Sequence, residues 1–84
     1  MASQAPVCSV CRQPRSPLHR LDCPARSLTL CGECTVGAIR VTRPTAITLQ
    51  ALEQLAKRLE GALCREPPDH YWVLPGTLLR SATD

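Results

Sequence analysis

Two Cys-x-x-Cys pairs constrain the fold of this chain more than any other feature of its sequence. The first pair is Cys8 and Cys11, and the second pair is Cys31 and Cys34, about 20 residues further along. This spacing is typical of a structural zinc site, in which two tight turns direct four thiolates at one ion. Because four thiolates complete a tetrahedron and leave no position for water, such a site stabilises a fold and performs no hydrolysis. The pattern predicts one zinc ion per chain.

The composition indicates that the chain depends on this metal to fold. The 84 residues suffice for one small domain, and Tyr71 and Trp72 are the only aromatic side chains that could fill its core. Domains of this size bury little apolar surface and often need a covalent or metal crosslink. Structural zinc contributes about 10–16 kcal/mol in small peptides at neutral pH. We therefore expect metal binding to supply much of the folding free energy.

Two other uses of the paired cysteines, a disulfide framework and an iron centre, are less well supported. The N-terminus, MASQAPVCSV, has no apolar stretch typical of a secretory signal, and adjacent Cys-x-x-Cys pairs suit a metal better than a bridge. A rubredoxin-type iron centre usually has glycine after each pair and an aromatic core, and neither holds here. No run approaches the ~20 apolar residues of a membrane span. These observations predict a cytoplasmic protein without a membrane segment.

Two cysteines, Cys23 and Cys64, lie outside the paired set. One hypothesis is that both are free thiols packed as small hydrophobic groups. The other is a second metal site in which His19 and His70 join them. A redox role for the pair is a further alternative.

Composition and the positions of proline and other turn-forming residues divide the chain into four segments. These are a flexible N-terminus at 1–6, a four-cysteine zinc-finger module at 7–43, an amphipathic helix region at 44–64, and a Pro-rich extended C-terminal arm at 65–84. The predicted fold class is a small α+β, metal-stabilised domain, with a treble-clef-like finger followed by the helix and the arm.

Local patterns predict the elements within these segments. Short strands are expected at 18–22, 27–30 and 70–74, a short helix at 32–41, and a tail of low order at 77–84. Leucines recurring at spacings of three and four predict a helix over 48–64, with Thr48 as its N-cap.

Two segments combine the cysteine pairs with neighbouring apolar residues: Val7-Cys8-Ser9-Val10-Cys11 and Leu28-Thr29-Leu30-Cys31-Gly32-Glu33-Cys34-Thr35-Val36. Together they resemble the N-terminal zinc-binding domain of the ClpX unfoldase family. The resemblance covers residues 7–40 and implies a treble-clef fold, dimerisation, and docking of adaptor or substrate peptides. Only the four cysteines carry over as functional residues. The chain departs from the family in having Arg12 where glycine is usual, and Cys23-Pro24 in place of Gly-Pro.

The leucine stripe and the two aromatic residues are candidates for a protein interface. The zinc half has little apolar surface with which to cover a long helix, so part of the stripe could pair with another chain, including a second copy of this one. The candidate interface residues are Leu49, Leu52, Leu55, Leu59, Leu63, Tyr71 and Trp72. The alternative is that the stripe packs on the zinc module and that Tyr71 and Trp72 close over the end of the helix.

Six arginines make the first half of the chain basic and are candidates for phosphate contacts. They are Arg12, Arg15, Arg20, Arg26, Arg40 and Arg43. Residues 1–43 contain only two acidic side chains, but four metal-bound thiolates would offset part of the positive charge. No aromatic residue lies among the arginines to stack on bases, so a solvated basic face is the simpler interpretation.

No catalytic set emerges from the sequence. Neither His19 nor His70 lies at a motif spacing from a serine and an acid, and there is no GxxxxGK[ST] phosphate-binding loop, so the chain is not an unfoldase. We therefore expect no enzymatic activity and no small-molecule substrate. The sequence predicts a zinc-stabilised protein-interaction module, acting as an adaptor, inhibitor or assembly component. A nucleic-acid-binding finger is the alternative, and a structural component of a larger particle is a weaker one.

Overall fold

The computed structural model of the protein describes residues 6–82, and its five strands form one antiparallel sheet. In chain order the elements are β1 (Leu18–Asp22), β2 (Ser27–Cys31), β3 (Ile39–Thr42), α1 (Ala46–Arg58), β4 (Ala62–Glu66), β5 (His70–Leu74) and α2 (Gly76–Ser81). The strands lie in the order β2-β1-β4-β5-β3, each antiparallel to its neighbours. The predicted α+β class is confirmed. The sheet contains strands from three of the predicted segments, namely the zinc-finger module, the helix region and the C-terminal arm.

The two faces of the sheet carry separate cores because alternate residues of a strand point to opposite sides. On one face, Trp72 and Leu74 join Leu21, Leu28 and the buried cysteines, and α2 packs against them. On the other face, Val73 packs against Leu52 and Ala56 of α1.

The sheet is weakly joined between β1 and β4. The backbone pairing there has a single rung, Asp22 opposite Arg65, whereas β4 and β5 pair at five positions. A disulfide between Cys23 and Cys64 crosslinks the next position along this seam. The prediction of two free thiols is therefore wrong, as is the hypothesis that they ligate a second metal. Spatial pairing of β1 with β4 brings together two cysteines that lie 41 residues apart in sequence.

Three strands predicted from sequence are confirmed. β1 has the predicted bounds, β2 extends one residue further to Cys31, and β5 coincides with the predicted 70–74 segment. The short helix predicted over 32–41 is wrong. Turns occupy 32–37 and a bend follows at Ala38. The segment Ile39–Thr42, in which three of the four residues are β-branched, forms β3 instead. The treble-clef arrangement, which depends on a helix after the second cysteine pair, is not confirmed.

The amphipathic helix exists, but its predicted bounds are wrong at both ends. α1 begins at Ala46 because the Thr45 hydroxyl, rather than that of Thr48, accepts a hydrogen bond from a backbone N–H of the first turn. It ends at Arg58 because Glu60 adopts a left-handed conformation with φ 54°. The Gly61 N–H then donates to the Ala56 carbonyl and the Glu60 N–H to the Lys57 carbonyl, which is the Schellman pattern of a helix end.

After the turn at the end of α1, the next residues form β4, so Leu63 and Cys64 belong to a strand and not to the helix. The C-terminal arm is also more ordered than predicted. It contains β5 and α2, and the Arg26 guanidinium donates to the carbonyls of Leu79 and Ala82 at the end of α2. Of the segments predicted to be flexible, residues 1–5 and 83–84 lie outside the described residues.

Candidate metal centre

The first cysteine pair is held in a tight turn. The Arg12 N–H donates to the Cys8 carbonyl over 2.9 Å, and the Cys8 N–H donates to the Gln13 carbonyl over 3.1 Å. Closing this turn places Arg12 at φ 59°, in the left-handed region that glycine adopts most readily. The turn brings the side chains of Cys8 and Cys11 to the same side of the chain.

Hydrogen bonds attach this first turn to the outer edge of β2. The Ser9 N–H donates to the Thr29 carbonyl over 2.6 Å, and the Thr29 N–H donates to the Ser9 hydroxyl over 3.2 Å. The turn therefore covers an edge of the sheet that would otherwise be open, and it holds the first pair beside the strand that delivers the second.

The second cysteine pair begins at the last residue of β2 and continues into a turn. The Thr35 N–H donates to the Cys31 carbonyl over 3.2 Å, and the Thr35 hydroxyl donates to the Gly32 carbonyl over 2.8 Å. An ion pair between Arg15 and Glu33 links this turn to the loop that precedes β1. The local structure is a strand followed by a knuckle, as the sequence predicts.

The four sulfur atoms converge on one point. The Sγ atoms of Cys8, Cys11, Cys31 and Cys34 all lie within 4.8 Å of one another, and those of Cys11 and Cys31 are 3.7 Å apart. Four sulfurs at ~2.3 Å from a tetrahedral ion would be about 3.8 Å apart, so the cluster has the dimensions of a metal site. Cys8 and Cys31 are buried and the other two are half-buried. Among residues 6–82 this is the only such group of potential ligands.

The protein environment favours a thiolate at Cys8. Burial opposes its ionisation, but hydrogen bonds from the backbone N–H groups of Cys11, Cys31 and Val10 outweigh burial and lower the pKa of Cys8 to about 6. The Val10 N–H lies 3.4 Å from the sulfur. Donors of this kind also stabilise a metal-bound thiolate, because they spread its charge.

The opposite shift at Cys34 shows why the cluster suits a cation. Burial and the neighbouring sulfurs of Cys31, Cys8 and Cys11 raise the pKa of Cys34 to about 12. Four thiolates at this separation repel one another, so full ionisation requires a positive charge among them. A bound divalent ion supplies that charge and displaces the remaining protons.

The two histidines lie away from the sulfur cluster and have other partners. The Nδ1 atom of His19 is 2.9 Å from a carboxylate oxygen of Glu66, whose other oxygen accepts a hydrogen bond from the Trp72 indole over 3.0 Å. His70 Nδ1 is 3.1 Å from the Thr42 hydroxyl. Sequence reasoning did not single out Glu66, because its role depends on strand pairing that no local pattern encodes.

Most of the candidate interface residues pack within the molecule. Leu52 and Trp72 are buried in the two cores, and Leu55, Leu63 and Tyr71 are partly buried around the core beneath α1. Leu49 is half-buried, and Leu59 is 39% exposed. Of the large apolar side chains in residues 6–82, those that face solvent most fully are instead Val36 and Ile47, with exposures of 84% and 81%. Neither was predicted as an interface residue.

The candidate phosphate-contacting arginines do not form one open patch, because several have partners in the protein. Arg15 pairs with Glu33, and Arg43 pairs with Asp69 at 2.8 Å. Arg26 binds the end of α2, and the Arg40 guanidinium lies 5.6 Å from the centre of the Trp72 ring. Arg12 and Arg20 are exposed on the turn after Cys11 and on β1.

Comparison with known proteins adds no relative. None of the family models, curated proteins or solved structures compared with the chain matches it. The ClpX-type resemblance therefore depends on the cysteines, their spacing and the apolar residues beside them. Neither helix of the described part of the chain has the length and apolar character needed to cross a membrane.

Proposed function

We propose that the protein is a non-catalytic, zinc-stabilised module that binds another protein. The single observation that supports it most directly is the convergence of four cysteine sulfurs within 4.8 Å of one another. An all-thiolate set favours zinc over magnesium or calcium, which prefer oxygen ligands. With four protein ligands the ion would have no exchangeable position, so its role is to hold two turns and a sheet together.

The chemistry outside the cluster supports a binding role over a catalytic one. The half-buried carboxylate of Glu66 is hydrogen-bonded by His19 and Trp72, and the Asp69 carboxylate is paired with Arg43. Groups engaged in this way are poorly placed to transfer protons to a substrate. Val36 and Ile47 are two exposed aliphatic side chains that a partner protein could cover.

The proposal is tested by measuring metal content and partners on the same preparation. Elemental analysis with native mass spectrometry should give one zinc per chain, and the zinc-loaded protein should recover a defined protein partner from its native source with fixed stoichiometry. Cys34→Ser should lose both the zinc and the partner. Conversion of a substrate, or a zinc-loaded protein that remains a monomer without any partner, would contradict the proposal.

Nucleic acid is the second candidate because residues 1–43 contain six arginines and only two acidic side chains, although these arginines do not form one open patch. A nucleic-acid-binding function predicts that the protein binds DNA or RNA with an affinity that falls steeply as the salt concentration is raised. Arg15→Gln and Arg20→Gln provide a matched pair for this test, because Arg15 has an acidic partner and Arg20 is exposed on β1. No binding at low salt would exclude this alternative.

A further inference from the structure

The two outer edges of the sheet differ. β2 is covered along one edge by the first cysteine turn through the Ser9–Thr29 hydrogen bonds. β3 is the other terminal strand, and within residues 6–82 no further strand pairs with its outer side. An open strand edge presents backbone N–H and C=O groups that an extended segment can pair with.

The register identifies which backbone groups face outward. The Arg43 N–H donates to the Asp69 carbonyl over 2.8 Å, one position beyond the pairing of Thr42 with His70. Because hydrogen bonding alternates along an antiparallel pair, Val41 points its backbone groups toward β5, and Arg40 and Thr42 point theirs outward. Two outward N–H groups are thus available to an incoming strand.

The side chains of β3 determine which residue types an incoming strand would need. Arg40 lies on the Trp72 face, where its guanidinium is 5.6 Å from the ring centre. Ile39 and Val41 lie on the opposite face, and Ile39 is 41% exposed. A neighbouring strand places its alternate side chains beside these two sets. Acidic residues suit the Arg40 face, and aliphatic residues suit the Ile39 face.

We propose that the open edge of β3 binds an extended segment of a partner protein in which acidic and aliphatic residues alternate. This inference rests on the proposed function and specifies its partner. A second copy of β3 is a poorer occupant, because it would bring Arg40 and Arg43 of both chains together. The 82% exposed side chain of Arg43 adds positive charge at the end of the strand, although Asp69 offsets part of it.

The test uses the zinc-loaded, ¹⁵N-labelled protein and a synthetic acetylated hexapeptide, Val-Glu-Val-Glu-Val-Glu. We expect the amide resonances of Arg40 and Thr42 to shift most on titration, with affinity falling as salt is raised. A peptide with lysine in place of glutamate should bind at least about tenfold more weakly, as should one with the three valines and three glutamates in blocks. Equal binding of all three peptides, or shifts elsewhere in the protein, would overturn the inference.

Thr42→Pro and Thr42→Val separate the backbone contribution from that of the side chain. Both remove the hydroxyl near His70, but only proline removes the outward N–H. We expect Thr42→Pro to weaken peptide binding about tenfold or more relative to Thr42→Val, with zinc content unchanged in both. Equal affinities would overturn the inference, and so would a dimer of the unmodified protein that Thr42→Pro abolishes.

These outcomes are distinct from failure of the proposed function. A native partner that binds Thr42→Pro and Thr42→Val equally well would leave the binding-module proposal intact while overturning the role of β3. The absence of any protein partner would contradict the proposed function itself.

Discussion

Arg12 adopts a left-handed backbone conformation that glycine adopts more readily than any residue with a side chain. Its φ of 59° closes the first cysteine turn, and a residue with a Cβ atom pays about 1 kcal/mol or more to adopt that region. We expect Arg12→Gly to raise the free energy of unfolding by about 1 kcal/mol. Urea denaturation measures this, with Arg12→Ala as the control that retains the Cβ atom. An equal gain from both substitutions would show that charge, not geometry, is responsible.

The four proposed zinc ligands are not equivalent to the other two cysteines. We expect Cys34→Ser to lower zinc affinity by more than about 100-fold, since the loss of an outer-shell partner alone costs 10–100-fold. The double variant Cys23→Ser/Cys64→Ser should retain one zinc per chain, because those residues form the disulfide. Competition with a chromogenic chelator gives both affinities. Zinc loss in the double variant and not in Cys34→Ser would contradict the assignment.

At this scale the sequence was informative about the metal cluster and silent about the disulfide. Ligands in Cys-x-x-Cys pairs are local patterns, so their convergence could be predicted from spacing. The disulfide between Cys23 and Cys64 depends on the pairing of β1 with β4. No local sequence pattern near either cysteine predicts that pairing.

Among the secondary-structure elements, the junction between α1 and β4 depends on Gly61. A Cβ atom there would overlap the Leu74 carbonyl, because β4 begins in close contact with the end of β5. We expect Gly61→Ala to destabilise the fold by about 2 kcal/mol or more. Gly37→Ala is the control: it meets open space, and we expect a change within about 0.5 kcal/mol. Thermal unfolding of both variants makes the comparison, and similar losses would contradict it.

The Glu66 carboxylate links three strands and should make stability depend on pH. Burial opposes its ionisation, but hydrogen bonds from Trp72 and His19 outweigh burial and lower its pKa below the ordinary value of 4.5. Its contribution is therefore present above pH 4.5 and is lost as the pH falls through the lower, folded-state value. We expect Glu66→Gln to be less stable than the unmodified protein at neutral pH, with the difference shrinking in acid. A pH-independent difference would contradict this; comparing the two proteins cancels acid effects on the cysteines.

The element boundaries show where sequence patterns fail. The leucine period continues through Leu59 and Leu63 and predicts a helix to residue 64, yet the Glu60-Gly61 turn ends it. Glycine is a common residue just after the end of a helix, so Gly61 also indicates an end near residue 60, but the prediction follows the leucine spacing instead. β3 is not predicted because the apolar spacing of residues 32–41 is compatible with a helix, whereas the β-branched residues Ile39, Val41 and Thr42 favour a strand.

Over the whole molecule, the Cys23–Cys64 disulfide compensates for the single backbone rung between β1 and β4. It closes a loop with a sequence separation of 41, for which chain-entropy arguments give a stabilisation of about 4 kcal/mol. We expect a phosphine reductant to lower the urea midpoint strongly while one zinc per chain is retained. Cys23→Ser/Cys64→Ser should be insensitive to the reductant. Loss of zinc at the reductant concentration that opens the Cys23–Cys64 disulfide would show that zinc binding depends on this disulfide.

Cys8 and Ala82 belong to the same hydrophobic cluster, so both ends of the described chain meet in one core. A nascent chain emerging from the ribosome would carry the cysteine turns long before the segment that packs beside them. The complete core can therefore form only after residue 82 has left the exit tunnel, so it is a late event relative to the cysteine turns.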